Sequence, residues 1–220
     1  MDIHTALLAM ITHADRKGAE RLIEEWGAGH GFDNLLVDVI GPVLREVGEM
    51  WQSEDFSLAH SYVASKIAED AVNKFVRTTG GAEFGTKGPA VLGNIEDDCH
   101  PLGRRLVAAF LKADGWKISD LGIDVEAKAF VDEAVKVGAK VIGVSAMIYT
   151  TAENIRAIRA EIDERGLNGR IQLAVGGAVF RLRPELVELV GGDGTAADAL
   201  EAPALFTRLW SRAEHEEERV

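Results

Sequence analysis

The chain has 220 residues, of which 47% are hydrophobic and 27% are charged, a composition typical of a globular protein with its own hydrophobic core. Its formal net charge of -12 argues against direct binding to nucleic acid, because phosphates attract Lys and Arg and are repelled by an acidic surface. Cys99 is the only cysteine, which excludes an intrachain disulfide, and the absence of a signal sequence and of any apolar run of roughly 20 residues predicts a cytoplasmic protein without a membrane segment.

Helical periodicity dominates residues 1–78. Apolar residues recur there at three- and four-residue intervals in four stretches separated by short breaks. Asp33 is a candidate N-cap for the third helix and Ser57 for the fourth. Residues 1–78 are therefore predicted to form a small four-helix bundle.

The polar, glycine-rich residues 79–89 have no periodicity and predict a linker. After them, β-rich segments alternate with amphipathic helices, which predicts an α/β domain with a doubly wound, five-stranded parallel sheet over residues 90–213. The strands are predicted at 90–95, 117–121, 141–145, 171–175 and, very short, near Gly194, with helices near 102–114, 125–137, 152–165, 182–190 and 196–213. A flavodoxin-like order 2-1-3-4-5 is expected, and residues 214–220 are predicted to be an acidic, solvated tail.

Three short motifs follow predicted strands, at the sheet edge where ligands bind in such folds. They are Asp98-Cys99-His100-Pro101-Leu102-Gly103, Ser145-Ala146-Met147 and Gly176-Gly177. A neutral imidazole such as that of His100 is a good ligand for a transition metal. Each motif alone is a common pattern, but the three in this order and on these elements form a specific signal.

Together the motifs resemble the cobalamin-binding module of methionine synthase, of methyl-transferring corrinoid proteins and of some mutases, whose pattern is DxHxxG, SxL and GG. Met147 replaces the leucine of SxL and retains its size and polarity. The resemblance implies cobalamin as the cofactor, bound base-off/His-on, with His100 as the lower ligand to cobalt in place of the cofactor's own dimethylbenzimidazole.

The same resemblance implies a proton relay behind the metal ligand. Asp98 would accept the second ring N–H of His100 and fix its tautomer. Thr151 lies six positions beyond Ser145, where the family carries a hydroxyl residue that ends the relay. An imidazole released from cobalt beside a carboxylate would take up a proton, so redox state and protonation would be coupled.

The remaining motif residues would bind the organic part of the cofactor. Leu102, Gly103, Gly176 and Gly177 would line the path of the buried nucleotide tail, the glycines because they lack a side chain. Ser145 would donate a hydrogen bond to the buried base and Met147 would pack against its apolar face.

Other site types fit the residues less well. A phosphoacceptor receiver domain requires an aspartate where this chain has Ser145, and a flavodoxin would place phosphate beside Glu96-Asp97-Asp98, which would repel it. A zinc site at Cys99 lacks a second Cys or His at a ligand spacing.

Residues 47–66 resemble the helical cap that precedes the cobalamin domain in methyl-transfer proteins and in cobalamin-dependent photoreceptor regulators. Such a cap covers the upper face of the ring, and Trp51 is the candidate contact, with a place in the helical core as its alternative. Ser61-Tyr62 stands where the light-sensing branch carries Glu-His, which leaves the upper ligand open.

Two functions from different classes follow. The first is a corrinoid protein that carries a methyl group on cobalt between partner methyltransferases, as one component of an enzyme system, with methylcobalamin favoured over adenosylcobalamin. The alternative is a cobalamin-dependent sensor or antirepressor that acts through a protein partner. A third interpretation, the small subunit of a mutase, leaves the helical half unexplained.

Overall fold

The computed structural model describes residues 2–50 and 87–217, together with residues 60, 63, 64, 66–68, 70, 71 and 74. Two units divide the chain, Met1–Ala82 and Glu83–Val220. The first strand of the second unit begins at Lys87, so the last residues of the predicted linker 79–89 are part of the sheet. Within the described ranges, every helix is too short or too polar to span a bilayer.

The described part of the first unit consists of helices joined by short turns. Its helices are α1 (Ile3–Thr12), α2 (Arg16–His30) and α3 (Phe32–Asn34), and α3 continues directly into a π-helical segment (Leu35–Ile40) and α4 (Gly41–Met50). The described positions between 60 and 74 are helical as well. The predicted fourth helix lies only partly within the described residues, and its predicted N-cap Ser57 lies outside them.

Local side-chain chemistry explains where the first helices begin. Asp2 accepts a hydrogen bond from His4 N at 3.4 Å, and Asp15 accepts one from Gly18 N at 2.9 Å; each therefore caps the helix that follows it. The prediction of Asp33 as an N-cap is wrong, because α3 already begins at Phe32. Gly31, at φ 93°, turns the chain directly from α2 into α3, a backbone conformation that favours glycine.

The second unit is built on a parallel sheet. Its strands β1 (Lys87–Asn94), β2 (Trp116–Asp120), β3 (Val141–Ser145) and β4 (Gln172–Gly176) lie in the order β2-β1-β3-β4. This confirms the predicted parallel α/β architecture and the order 2-1-3-4. The helices are α5 (Leu102–Ala113), α6 (Ala127–Val137), α7 (Tyr149–Glu164), α8 (Ala178–Leu182), α9 (Leu186–Leu189) and α10 (Ala202–Glu217).

The predicted fifth strand is reduced to a single parallel bridge between Gly194 and Ala174. Next to it, the carboxylate of Asp193, rather than a backbone carbonyl, accepts the hydrogen bond from Leu173 N at 2.6 Å. A side chain thus takes the place of a ladder partner, and the sheet of the described residues has four strands.

Two C-terminal helices also differ from the prediction. Of the helix predicted over 182–190, only α9 and the last residue of α8 are helical, because Pro184 restricts the residue before it to non-helical backbone. Helix α10 extends to Glu217, so most of the predicted acidic tail 214–220 is its last turn. There Glu217 forms an ion pair with Lys140 at 2.8 Å.

Both faces of the sheet are covered. Successive side chains of a strand point to opposite faces, and accordingly Val91 of β1 packs in a cluster with Phe130 and Ile155 of α6 and α7. Its neighbour Leu92 packs in a second cluster, with residues of α5 and α10. The carboxyl edge of the sheet is left for the loops that carry the three motifs.

Candidate functional site

The strand register brings the three motifs together. At the carboxyl edge, Asn94 at the end of β1 pairs with Ser145 at the end of β3, and Ser145 pairs with Gly176 at the end of β4. The loops that leave these three strand ends therefore start side by side, although their motifs are far apart in the sequence.

The centre of this arrangement is the buried carboxylate of Asp98. Its Oδ1 accepts hydrogen bonds from Asn94 Nδ2 and from His100 N, both at 2.9 Å. Its Oδ2 accepts one from Met147 N at 2.5 Å, and Thr151 Oγ1 lies 3.4 Å away. The carboxylate therefore joins the β1 loop to the β3 loop and to the first turn of α7, and its orientation is fixed from several sides.

His100 lies at the surface above this carboxylate. Its side chain is 61% exposed, and its Nδ1 is 3.5 Å from Asp98 Oδ1. Because Nδ1 faces the carboxylate, Nε2 is the ring nitrogen left for a metal, the arrangement in which a carboxylate orients a ligating imidazole.

Thr151 lies close to Asp98 but has a second acceptor. Its Oγ1 is 3.0 Å from the carbonyl oxygen of Ile148 and 3.4 Å from Asp98 Oδ2. A hydroxyl has one proton to donate, so the carbonyl competes with the carboxylate for it.

The glycines of the motifs differ in what surrounds them. A Cβ added at Gly103 or Gly176 would meet no atom within 4 Å, so both positions adjoin open space. Gly177 has a φ of 114°, and a Cβ there would lie 2.0 Å from the carbonyl oxygen of Ala146. Gly177 is thus required by the backbone itself, whereas the other two are not.

Apolar side chains are exposed around the same edge. Met147, Ile148 and Tyr149 follow β3, Ile123 follows β2, and all four are exposed. Ser145 and Leu102 are half-buried where β3 ends and α5 begins. Exposed apolar side chains grouped beside a polar centre are typical of a ligand-binding surface.

The loops after β1 and β2 are tied to each other. Asp97 and Asp124 both have positive φ, 68° and 55°, and Asp124 Oδ1 accepts a hydrogen bond from Asp97 N at 2.8 Å. Residues other than glycine rarely adopt a positive φ, and those that do are concentrated in functional loops.

Sequence reasoning missed three polar residues behind Asp98: Asn94, Arg104 and Asp120. Asn94 and Arg104 are buried, and their side chains are hydrogen-bonded to each other at 2.7 Å. A signal existed in the sequence, since Asn94 is a polar residue closing an apolar strand and Arg104 directly follows the motif glycine.

The residues present fit a corrinoid. Among the described residues, no group of three or more His, Cys, Asp or Glu side chains is arranged to hold a metal ion. A single exposed imidazole suits a metal whose other positions are filled by a macrocycle, and the open space at Gly103 and Gly176 offers room for an appended tail. Trp51, the predicted upper contact, lies outside the described residues.

Comparison with known proteins supports the same identification. The model of the B12 binding domain family matches residues 88–204, and a second model with that description matches residues 3–74. A corrinoid protein of Desulfitobacterium hafniense is 32% identical over 173 residues, which are 79% of this chain and 77% of that protein.

Solved structures share the fold. The monomethylamine corrinoid protein of Methanosarcina barkeri matches with a TM-score of 0.77 at 23% identity, over 94% of this chain and 98% of that one. The methanol:cobalamin methyltransferase complex of the same organism matches with a TM-score of 0.53 at 20% identity, over 93% of this chain and 78% of that one. With both family models and a relative of this similarity, the chain belongs to the B12-binding family of corrinoid proteins.

Proposed function

We propose that this protein carries a methyl group on the cobalt of a bound cobalamin between partner methyltransferases. His100 is the lower axial ligand in a base-off/His-on complex, and residues 90–213 are the cobalamin-binding domain. The observation that carries the proposal is the pairing of an exposed imidazole with a buried carboxylate, His100 with Asp98, at the sheet edge where the three motifs meet.

The names of similar proteins support a methyl carrier. One structural neighbour is a corrinoid protein for monomethylamine, and another is part of a methanol:cobalamin methyltransferase complex. These names favour methylcobalamin over adenosylcobalamin, and a methyltransferase over a signalling protein as the partner.

Binding of the cofactor would use the edge of the sheet. The nucleotide tail would pass Leu102, Gly103 and Gly176, two of which adjoin open space. Gly177 would keep the backbone of this loop close to Ala146, while Ser145 would donate to the buried base and Met147 would pack against it.

The bound corrinoid supplies a cobalt centre that accepts and donates a methyl group. The protein controls the orientation of the His100 imidazole. With Nδ1–H directed at Asp98, the lone pair of Nε2 is available to cobalt. In the proposed relay, an imidazole freed from cobalt would accept a proton at Nε2, and the carboxylate of Asp98 would compensate its charge. Thr151, within reach of both Asp98 and the carbonyl of Ile148, would donate to either acceptor.

Loading the purified protein in the dark tests the proposal against a sensor. The protein is incubated separately with methylcobalamin and adenosylcobalamin, passed through a gel-filtration column, illuminated and passed again. We expect methylcobalamin to be retained and the elution volume to stay the same after illumination. Preferential retention of adenosylcobalamin with a light-driven change in elution volume would contradict the carrier and support the regulator.

A further inference from the structure

A chain of polar side chains, buried at Asn94 and Arg104, runs from Asp98 to Asp120 at the end of β2. Asn94 Nδ2 donates to Asp98 Oδ1 at 2.9 Å and to the carbonyl oxygen of His100 at 3.1 Å. Asn94 Oδ1 accepts from Arg104 Nε at 2.7 Å. Arg104 Nη1 in turn donates to Asp120 Oδ1, which also accepts from Gly122 N.

Arginine determines which way the amide of Asn94 faces. A guanidinium has only donors, so Asn94 must present its oxygen to Arg104. The amide nitrogen is then directed at Asp98 and at the carbonyl of His100, both of which are acceptors. Without the guanidinium, the amide oxygen has no donor, and only these two acceptors still hold the amide nitrogen in its direction.

The position of Arg104 is itself specified. The residue is 6% exposed, and a buried arginine needs a partner for its charge. Asp120, at the end of β2, provides that partner. The charge of Arg104 also polarises the amide of Asn94, which strengthens its N–H donors toward Asp98.

We propose that Asn94, Arg104 and Asp120 are positioning residues for the axial ligand: Arg104, held by Asp120, orients Asn94, and Asn94 holds the carboxylate of Asp98 and the backbone of His100 together. The inference rests on the proposed role of His100. It assigns to side chains at the start of α5 and the end of β2 an influence on the fraction of cobalt that His100 ligates.

The test uses full-length protein loaded with cob(II)alamin. Electron paramagnetic resonance of Co(II) separates the nitrogen-ligated from the unligated fraction. Arg104→Met keeps most of the side-chain volume and removes every donor. We expect the ratio of ligated to unligated cobalt to fall by about tenfold, the size expected for one lost hydrogen bond to a charged group, while gel filtration still recovers the protein with its cobalamin.

The chain offers a matched control. Arg159 is also largely buried, and it donates from Nε to the carbonyl of Gly191 at 2.8 Å and from Nη2 to Asp193 at 2.5 Å. Arg159→Met therefore removes an equivalent arginine away from the His100 loop. We expect it to leave the ligated fraction unchanged. Equal losses in the two variants would overturn the inference, because general destabilisation would then explain both.

If Arg104→Met does not fold, a milder variant tests the same positioning role. Asp120→Asn keeps an acceptor for Gly122 N and removes the charge that holds the guanidinium. A fall of about threefold in the ligated ratio is expected, since the hydrogen bond to Arg104 becomes neutral on one side. An unchanged ratio contradicts the proposal.

Hydrogen–deuterium exchange is a second readout that needs no cofactor. It separates the positioning role of Arg104 from the proposed ligation of cobalt by His100. The backbone amides of His100 and Met147 donate to Asp98. In apoprotein we expect both amides to exchange with deuterium about tenfold faster in Arg104→Met than in wild type, because the loss of about one hydrogen bond lowers the local stability of this loop. If wild-type cobalt carries no protein nitrogen, the proposed ligation is wrong, and this exchange still tests the positioning. If wild type is ligated but neither exchange nor ligation changes in the variant, only the positioning role is wrong.

Discussion

At the scale of single residues, the site separates glycines that the backbone requires from glycines that only a ligand requires. Gly177 belongs to the first kind, because its φ of 114° and its contact with the carbonyl of Ala146 exclude a side chain. Gly103 is proposed to be of the second kind, because the structure leaves open space beside it that the cofactor tail would enter. The distinction allows cofactor binding and folding to be tested apart.

Alanine at the two positions should therefore have opposite effects on the apoprotein. Gly177→Ala should lower the free energy of unfolding by more than about 1 kcal/mol, because the new methyl group enforces backbone strain. Gly103→Ala should leave stability equal or raise it by up to about 1 kcal/mol, since alanine is the better helix former, yet it should reduce cobalamin retention. Urea denaturation measures the first quantity and absorbance after gel filtration the second. Full retention in Gly103→Ala would contradict passage of the nucleotide tail at this glycine.

Motif residues were accessible to sequence reasoning because three short motifs in a fixed order resemble those of a known family. Asp98 and His100 could be named for this reason, whereas Gly177 was expected to leave room for the cofactor tail and is instead required by the backbone beside Ala146. Asn94 and Arg104 carried a signal as unusual polar positions, but the role of these residues and of Asp120 depends on which way an amide faces and on a partner at the end of another strand, which a pattern does not contain. The hydroxyl of Thr151 was expected beside Asp98, but its competing bond to Ile148 O follows from the start of α7 and not from a pattern.

At the scale of elements, alternating strands and helices were predictable because β-rich and amphipathic periodicities differ. The ends of these strands and helices were less predictable. Pro184 delayed the start of one predicted helix to Leu186, and the carboxylate of Asp193 replaced a backbone partner where a fifth strand was expected. Both depend on single side chains that act on backbone hydrogen bonding, which periodicity does not contain.

The last turn of α10 gives a prediction about how the stability of the protein depends on pH. The hydrogen bond from Lys140 lowers the pKa of Glu217 below 4.5, aided by the charges of Lys140 and Arg170. A lowered pKa in the folded state contributes stability above the pKa of the unfolded chain, and this contribution is lost as the pH falls through the folded value. Glu214, 3.8 Å from Lys140, adds to the same cluster.

Lys140→Met should therefore destabilise the protein at pH 7 by at most about 1 kcal/mol, the upper range for partly exposed ion pairs. The difference from wild type should shrink as the pH falls below 4.5. Urea denaturation at a series of pH values measures it, with Lys128→Met, an exposed lysine of α6, as the control. A difference independent of pH would show that packing of the lysine stem, rather than its charge, is what the variant loses.

At the scale of the whole molecule, the second unit is built on a parallel sheet whose register brings three motifs that are distant in the sequence to one edge. The order 2-1-3-4 places the loops after β1 and β3 next to each other, so a carboxylate on one loop can orient an imidazole beside it and accept from the backbone of the other. The proposed carrier role depends on that imidazole binding cobalt.

Isotopic substitution of histidine tests this bond most directly. Protein grown with ¹⁵N-histidine is loaded with cob(II)alamin, and its electron paramagnetic resonance is compared with that of unlabelled protein and of His100→Ala. Each cobalt line should split in three with ¹⁴N-histidine and in two with ¹⁵N-histidine, and the nitrogen splitting should vanish in His100→Ala. A threefold splitting that persists in labelled protein would mean that the cofactor's own base, and not His100, is bound to cobalt.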